Sequence, residues 1–304
     1  MMHAGRNPTR RNRNIGTAAS GHGNDNRLVI ASRCNGPIWH WRNIGEYRCV
    51  KRVVSGRDVE FVVEQTNRGC IHACTVDDIA CLLGYIPPED WEGLGCFVLR
   101  QPKRKEAILN GVWGRLAYGG AIGRPQDRMF TGPAVFLEST TPNFEFSLSA
   151  SMCPDVQAEF ERLRRDGHVV TRAGRRFVIQ CSVDTVRNTQ LYRTILHEIG
   201  HWVDWLQKVR RPVAPPEVGD DDYLWREGLQ DVYDRRPSQE RETFANQYSD
   251  RMWTRLSDSG VIPFARKLDF DGLDPADFVV GFARSRAILT ADVNNGTRDI
   301  TPSE

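Results

Sequence analysis

The stretch Leu191–Leu206, LYRTILHEIGHWVDWL, decides how this chain folds. Tyr192, Ile195, Leu196, Ile199, Val203 and Leu206 recur at helical spacing, which predicts an amphipathic helix over about 187 to 208 with one apolar stripe. Beside that stripe His197 and His201 stand four residues apart, with Glu198 directly after the first, in the pattern H-E-x-x-H. Residues i and i+4 share a helix face, so both imidazoles reach a single ion. Glu198 lies about 100° round the axis, where it meets a water at that ion without ligating it.

A catalytic zinc needs three protein ligands and one open position. The third has to come from elsewhere, and SQERETFANQYSDRMW offers Glu240 and Glu242 on a second long helix, from near Pro237-Ser238 to about Ser257. Glu240 shares its face with Thr243, Gln247 and Arg251, a solvent-like set. Glu242 shares its face with Ala245, Asn246, Ser249 and Trp253, small groups and an aromatic suited to packing on another helix. Glu242 is therefore the expected ligand, and Asn246, one turn on, is placed to hydrogen-bond a ligating histidine and fix its tautomer.

These residues resemble the gluzincin class of zinc metallopeptidases, whose ligands are the two histidines of H-E-x-x-H and a glutamate on a later helix. HEIGHWVDWL together with ERETFANQYSD is closest to the lethal-factor-type toxin zincins, which have an H-E-x-G-H-x-V-D segment and an E-x-F-A segment some forty residues later. The resemblance covers about residues 187 to 255. It implies an α+β zincin-like fold, with a small, twisted, mainly antiparallel sheet packed on the H-E-x-x-H helix and the glutamate helix opposite. It also implies one zinc ion per chain on His197, His201 and Glu242, Glu198 as general base, and hydrolysis of a protein or peptide substrate. A tyrosine before the glutamate helix assists catalysis in that family; Tyr233, or another group of the 209–236 loop, would take that part here. The strand RRFVIQCS, ahead of the helix, is where an extended peptide would pair. The rival reading is a non-catalytic protein using this scaffold to bind peptides, or a DNA-associated regulator using a basic tail.

The remaining chain sets the context. Its 304 residues carry a net charge of +2, which argues against a dedicated nucleic-acid binder. No apolar run approaches the roughly 20 residues of a membrane span. The polar N-terminus lacks a Sec signal, so a cytoplasmic protein, or one exported by a non-Sec route, is expected. Residues 1–26, with Arg6, Arg10, Arg11 and Arg13, read as a disordered basic tail. Residues 27–150 read as an α+β region, either the upper part of the catalytic domain or a substrate-recognition module. Residues 151–292 read as the zincin catalytic region, and 293–304 as a second tail.

Within these limits, DVEFVVEQ and GCFVLRQP predict strands and CTVDDIACLLGYIPPEDW a helix capped by Thr75. GRLAYGGAIG predicts a loop, AVFLEST and FEFSLSA two strands around a turn, and PDVQAEFERLRRDG a helix. HVVTRAGRRFVIQCS predicts a hairpin and RRPVAPPEVGDDDYLW a loop. The eight cysteines read as reduced thiols; Cys70, His72 and Cys74, with Cys49 and Cys81, do not have zinc-finger spacing. Trp39–Arg42 reads as core or rim and Asp269–Asp277 as a turn and helix cap. RQPKRKE reads as a solvated loop, and LDPADFVVGFARSRAIL as a final helix.

Overall fold

The computed structural model describes residues 44–102, 113–122, 130–149, 156–215 and 222–267. The expectations for the two tails, most of RQPKRKE, Trp39–Arg42, Asp269–Asp277 and the final helix fall outside these residues.

Chain folding opens with a hairpin, β1 (Tyr47–Val54) on β2 (Arg57–Glu64), in antiparallel register from Tyr47↔Glu64 to Val54↔Arg57. Its two-residue turn places Ser55 and Gly56 at φ 49° and 74°, the twist that a tight hairpin needs. α1 (Val76–Tyr85) follows, with a capping box in which the Thr75 hydroxyl accepts from Asp78 N and the Asp78 side chain accepts from Thr75 N. The helix returns the chain parallel to β2 as β3 (Cys96–Arg100), and β7 (Ala134–Glu138) lies parallel to β3. β4 (Gly114–Ala117) pairs antiparallel with β7 and forms the far edge, giving the order β1-β2-β3-β7-β4. Two short strands, β5 (Ala121–Ile122) and β6 (Phe130–Thr131), form a separate ladder.

The sheet is thus mixed, where a mainly antiparallel one was expected, because helix α1 and a long excursion intervene between its central strands and return them parallel. β3 and β7 are buried along their whole length. Alternate residues face two clusters: Phe61, Phe97, Leu99, Val135 and Leu137 on the helix side, Val62, Cys96, Val98, Ala134 and Phe136 on the other.

β8 (Asn143–Ser149), β9 (Val169–Ala173) and β10 (Arg176–Ser182) make a second, antiparallel sheet, with α2 (Val156–Arg165) before the β9–β10 hairpin. AVFLEST and FEFSLSA are both strands, but they enter different sheets. β10, expected to be an edge strand, lies between β8 and β9 with both its sides paired.

Ser182 then caps a single continuous helical rod. It runs through α3 (Val183–Thr189), a π segment (Gln190–Ile195), α4 (Leu196–Trp205) and a second π segment (Leu206–Arg210). Leu191, Tyr192, Ile195, Leu196, Ile199, Trp202, Val203 and Leu206 are buried in the same cluster as Phe61, Phe97 and Leu99. One core therefore crosses residue 150: residues 47–138 supply the sheet on which the rod packs. The rod is further tied to α1 by the buried pair of Arg187 Nη2 and Asp78 Oδ1 at 2.7 Å.

Beyond the rod, part of the expected 209–236 loop is helical: α5 (Asp222–Arg235), docked where Trp205 Nε1 donates to Gln230 Oε1 at 2.6 Å. α6 (Ser238–Asp258) crosses α4 so closely that a Cβ added at Gly200 would lie 2.9 Å from Ala245 Cα and 3.1 Å from Tyr248 Cβ. Among the described residues no helix is long and apolar enough to cross a membrane.

Candidate metal centre

The Gly200–Ala245 approach sets the site. With no side chain between them, α4 and α6 come near enough for Glu242, one turn before Ala245, to face both histidines. His197 Nε2 lies 3.3 Å from Glu242 Oε2, and His201 Nε2 lies 3.6 Å from Glu242 Oε1. The imidazole rings stand nearly perpendicular, 89° apart, with centroids at 4.6 Å. One donor atom from each residue lies within 4.8 Å of the others, and this is the sole such group of His, Cys, Asp and Glu among the described residues. Zinc bonds of about 2.0–2.1 Å at tetrahedral angles require donor atoms roughly 3.4 Å apart, so the two measured edges fit the ion.

Glu240 lies elsewhere. Its side chain is 57% exposed and pairs with Arg236 Nε at 3.4 Å. Asn246 hydrogen-bonds His197. Glu198 is buried, and its Oε2 accepts from Leu116 N at 2.8 Å. Burial raises its carboxyl above the usual range, against the lowering influence of His197 and of the Leu116 amide. Burial also lowers both imidazoles, but at His197 the bond to Glu242 and the charges of Glu198 and Glu242 outweigh it and the net shift is upward. His201 is brought down to about 4 by burial and then by the neighbouring His197.

Several groups at the site carry no signal in the opening motif. Leu116 is on β4, a strand read as loop because its glycines mask a four-residue element. Gly114 is needed there, since a Cβ would lie 2.5 Å from Phe136 O and 2.8 Å from Thr194 Cγ2. Tyr118, just past β4, packs its ring on Trp202, Trp205 and Tyr233 at 6.3, 6.2 and 6.0 Å. Asp204, fully buried, binds Lys208 and takes Arg236 Nη1 at 2.7 Å, which fixes the α5–α6 junction to the rod. An acid one turn past His201 was the available clue. Tyr233 is 1% exposed, and its hydroxyl lies 3.0 Å from that of Tyr118.

The cysteine group has other occupations. His72 Nε2 lies 2.7 Å from Glu64 O, and Cys74 Sγ donates to Gln190 Oε1 at 3.5 Å. Among the described residues Cys70, Cys74, Cys81, Cys96 and Cys181 are free thiols. Arg100, where the predicted strand GCFVLRQP overlaps the predicted loop RQPKRKE, belongs to the strand: it ends β3, buried against Glu138 at 3.2 Å. Comparison with protein families, curated proteins and solved structures returns no match.

Proposed function

We propose that the chain is a zinc-dependent metallopeptidase of zincin type that hydrolyses peptide bonds of a protein substrate. The observation that carries this is the convergence of His197, His201 and Glu242 within 4.8 Å, with the buried Glu198 held beside them by Leu116 N. The donor set, two imidazoles and a carboxylate, is that of catalytic zinc sites. Zinc would supply Lewis acidity there, acidifying a water and polarising a carbonyl.

The chain's own groups do the rest. Glu198 takes the proton of the attacking water and passes it to the leaving amine. Its burial and raised affinity for protons suit that exchange near neutral pH. The Leu116 amide leaves Glu198 one free oxygen and fixes the direction from which that oxygen acts. Asn246 holds His197 in orientation. β4, as the sheet edge beside the rod, takes the part first assigned to RRFVIQCS and offers an extended peptide a strand to pair with.

Metal content by plasma mass spectrometry tests this reading, comparing wild type with Glu242→Ala and Glu240→Ala. About one zinc per chain is expected, lost in Glu242→Ala and kept in Glu240→Ala. A carefully prepared wild type without metal overturns the reading. Glu198→Gln should keep zinc and lose turnover.

A further inference from the structure

Tyr233 has the place of a catalytic tyrosine but little room to act as one. Its ring is buried, and Arg236 and Arg241 carry their guanidinium groups near its faces, at 5.6 and 5.8 Å from the centroid. Its hydroxyl meets two partners, the Asp204 carboxylate and the Tyr118 hydroxyl. A carboxylate only accepts, so the single Tyr233 proton goes to Asp204. The bond between the tyrosines must then run from Tyr118 to Tyr233. Of the two protons, the one on Tyr233 is committed to a buried anion, and the one on Tyr118 to a neutral oxygen that is easily given up.

Tyr118 also stands on the right element. It is two residues past Leu116, whose amide holds Glu198, and it is half-buried where Tyr233 is closed off. Its ring packs against Trp202, next to His201 on the rod, and against Trp205 one turn further on, and the Glu198 charge is among the influences that raise its phenol. Burial and the bond to Tyr233 raise its phenol, so it stays protonated and acts as a hydrogen-bond donor.

We infer that Tyr118 supplies the hydroxyl that binds the oxyanion of the tetrahedral intermediate, and that Tyr233, anchored by Asp204, is its positioning residue. The inference rests on the metallopeptidase reading. As the water oxygen bonds to the carbonyl carbon, the C=O π pair moves onto the carbonyl oxygen. The Tyr118 O–H turns from Tyr233 to that oxygen without transferring its proton. When the C–N bond breaks, the pair returns to the carbonyl, the amine takes the proton held by Glu198, and the hydroxyl turns back.

The test uses the zinc-loaded full chain and N-phosphoryl-leucinamide, a tetrahedral zinc-binding probe, with affinity read by calorimetry. Phe keeps the ring packing at both positions, and zinc content reports an intact site. Tyr118→Phe should weaken the probe about tenfold or more, as loss of an oxyanion donor does. Tyr233→Phe should weaken it less, and the double variant should be no worse than Tyr118→Phe, since Tyr233 acts through Tyr118. Unchanged binding in Tyr118→Phe, or additive losses, overturns the inference, as does a zinc-loaded wild type that ignores the probe. A wild type that holds no zinc removes the metallopeptidase reading itself, and the inference with it.

Discussion

Gly200→Ala probes the helix contact on which the site depends. A Cβ there would come within 2.9 Å of Ala245 Cα and 3.0 Å of Ala245 O, whereas ordinary contact begins near 3.4 Å. Both obstacles are backbone, so no side chain can turn aside, and α6 must retreat by on the order of 0.5 Å if packing is to be restored. Overpacking costs typically 1–3 kcal/mol, while alanine gains about 1 kcal/mol over glycine inside a helix. The two nearly offset each other, so net stability should fall by no more than about 2 kcal/mol. The metal geometry has less slack. Glu242 lies one turn from Ala245, and donor distances tolerate only about 0.2 Å, so the retreat would carry the Glu242 carboxylate out of bonding range of an ion held by His197 and His201. Zinc affinity, measured by competition with a chromophoric chelator, should fall at least tenfold, about 1.4 kcal/mol. A folded Gly200→Ala protein that binds zinc within twofold of wild type would refute the claim that this contact sets the ligand spacing.

Other expectations follow from the same interactions. Asp78→Asn breaks a buried pair in which Arg187 donates through Nε and Nη2 at 2.9 and 2.7 Å; urea unfolding should show a loss of about 3–5 kcal/mol, and a loss below 1 would count against it. His72, driven down to about 4 by burial, is neutral in the fold. Its unfolded form binds a proton below about 6.5, so stability should fall as pH drops from there towards 4, by up to about 3 kcal/mol. His72→Gln should flatten that part of the melting-temperature profile, and an unchanged slope would assign the acid sensitivity elsewhere. Leu116→Pro removes the amide that holds Glu198, at an edge where proline is tolerated. Zinc content should stay at the wild-type level while kcat on any cleaved peptide falls; loss of zinc would show that β4 supports the ligands as well.

The parts of the site legible in the sequence are those carried by helical periodicity. Two histidines at i and i+4 and the packed face of Glu242 need only the 3.6-residue repeat, and the structure brings all three together. The central strands were legible as apolar, β-branched runs, but the order in which they pair was not, because pairing is set by long-range packing that no local pattern encodes. β1 escaped notice because Arg48 and Arg52 share its inner face with Val50 and Val54, which breaks the apolar alternation of a strand, and α5 because a proline-rich approach reads as loop. The role of Leu116 was invisible in principle, since it acts through a backbone amide that every residue but proline possesses.

The candidate site is split across residue 150. All three candidate metal ligands come from the later half of the chain, whereas the amide that steadies Glu198 and the hydroxyl of Tyr118 come from the earlier half. Holding an ion and placing the groups around it therefore answer in part to different stretches of sequence, although Glu198 itself stands between the two histidines. On the metallopeptidase reading, substitutions at Leu116 and Tyr118 that leave Gly114 in place would weaken turnover without touching any of the three ligands, so a descendant could drift from enzyme toward binding protein with its ligands unaltered.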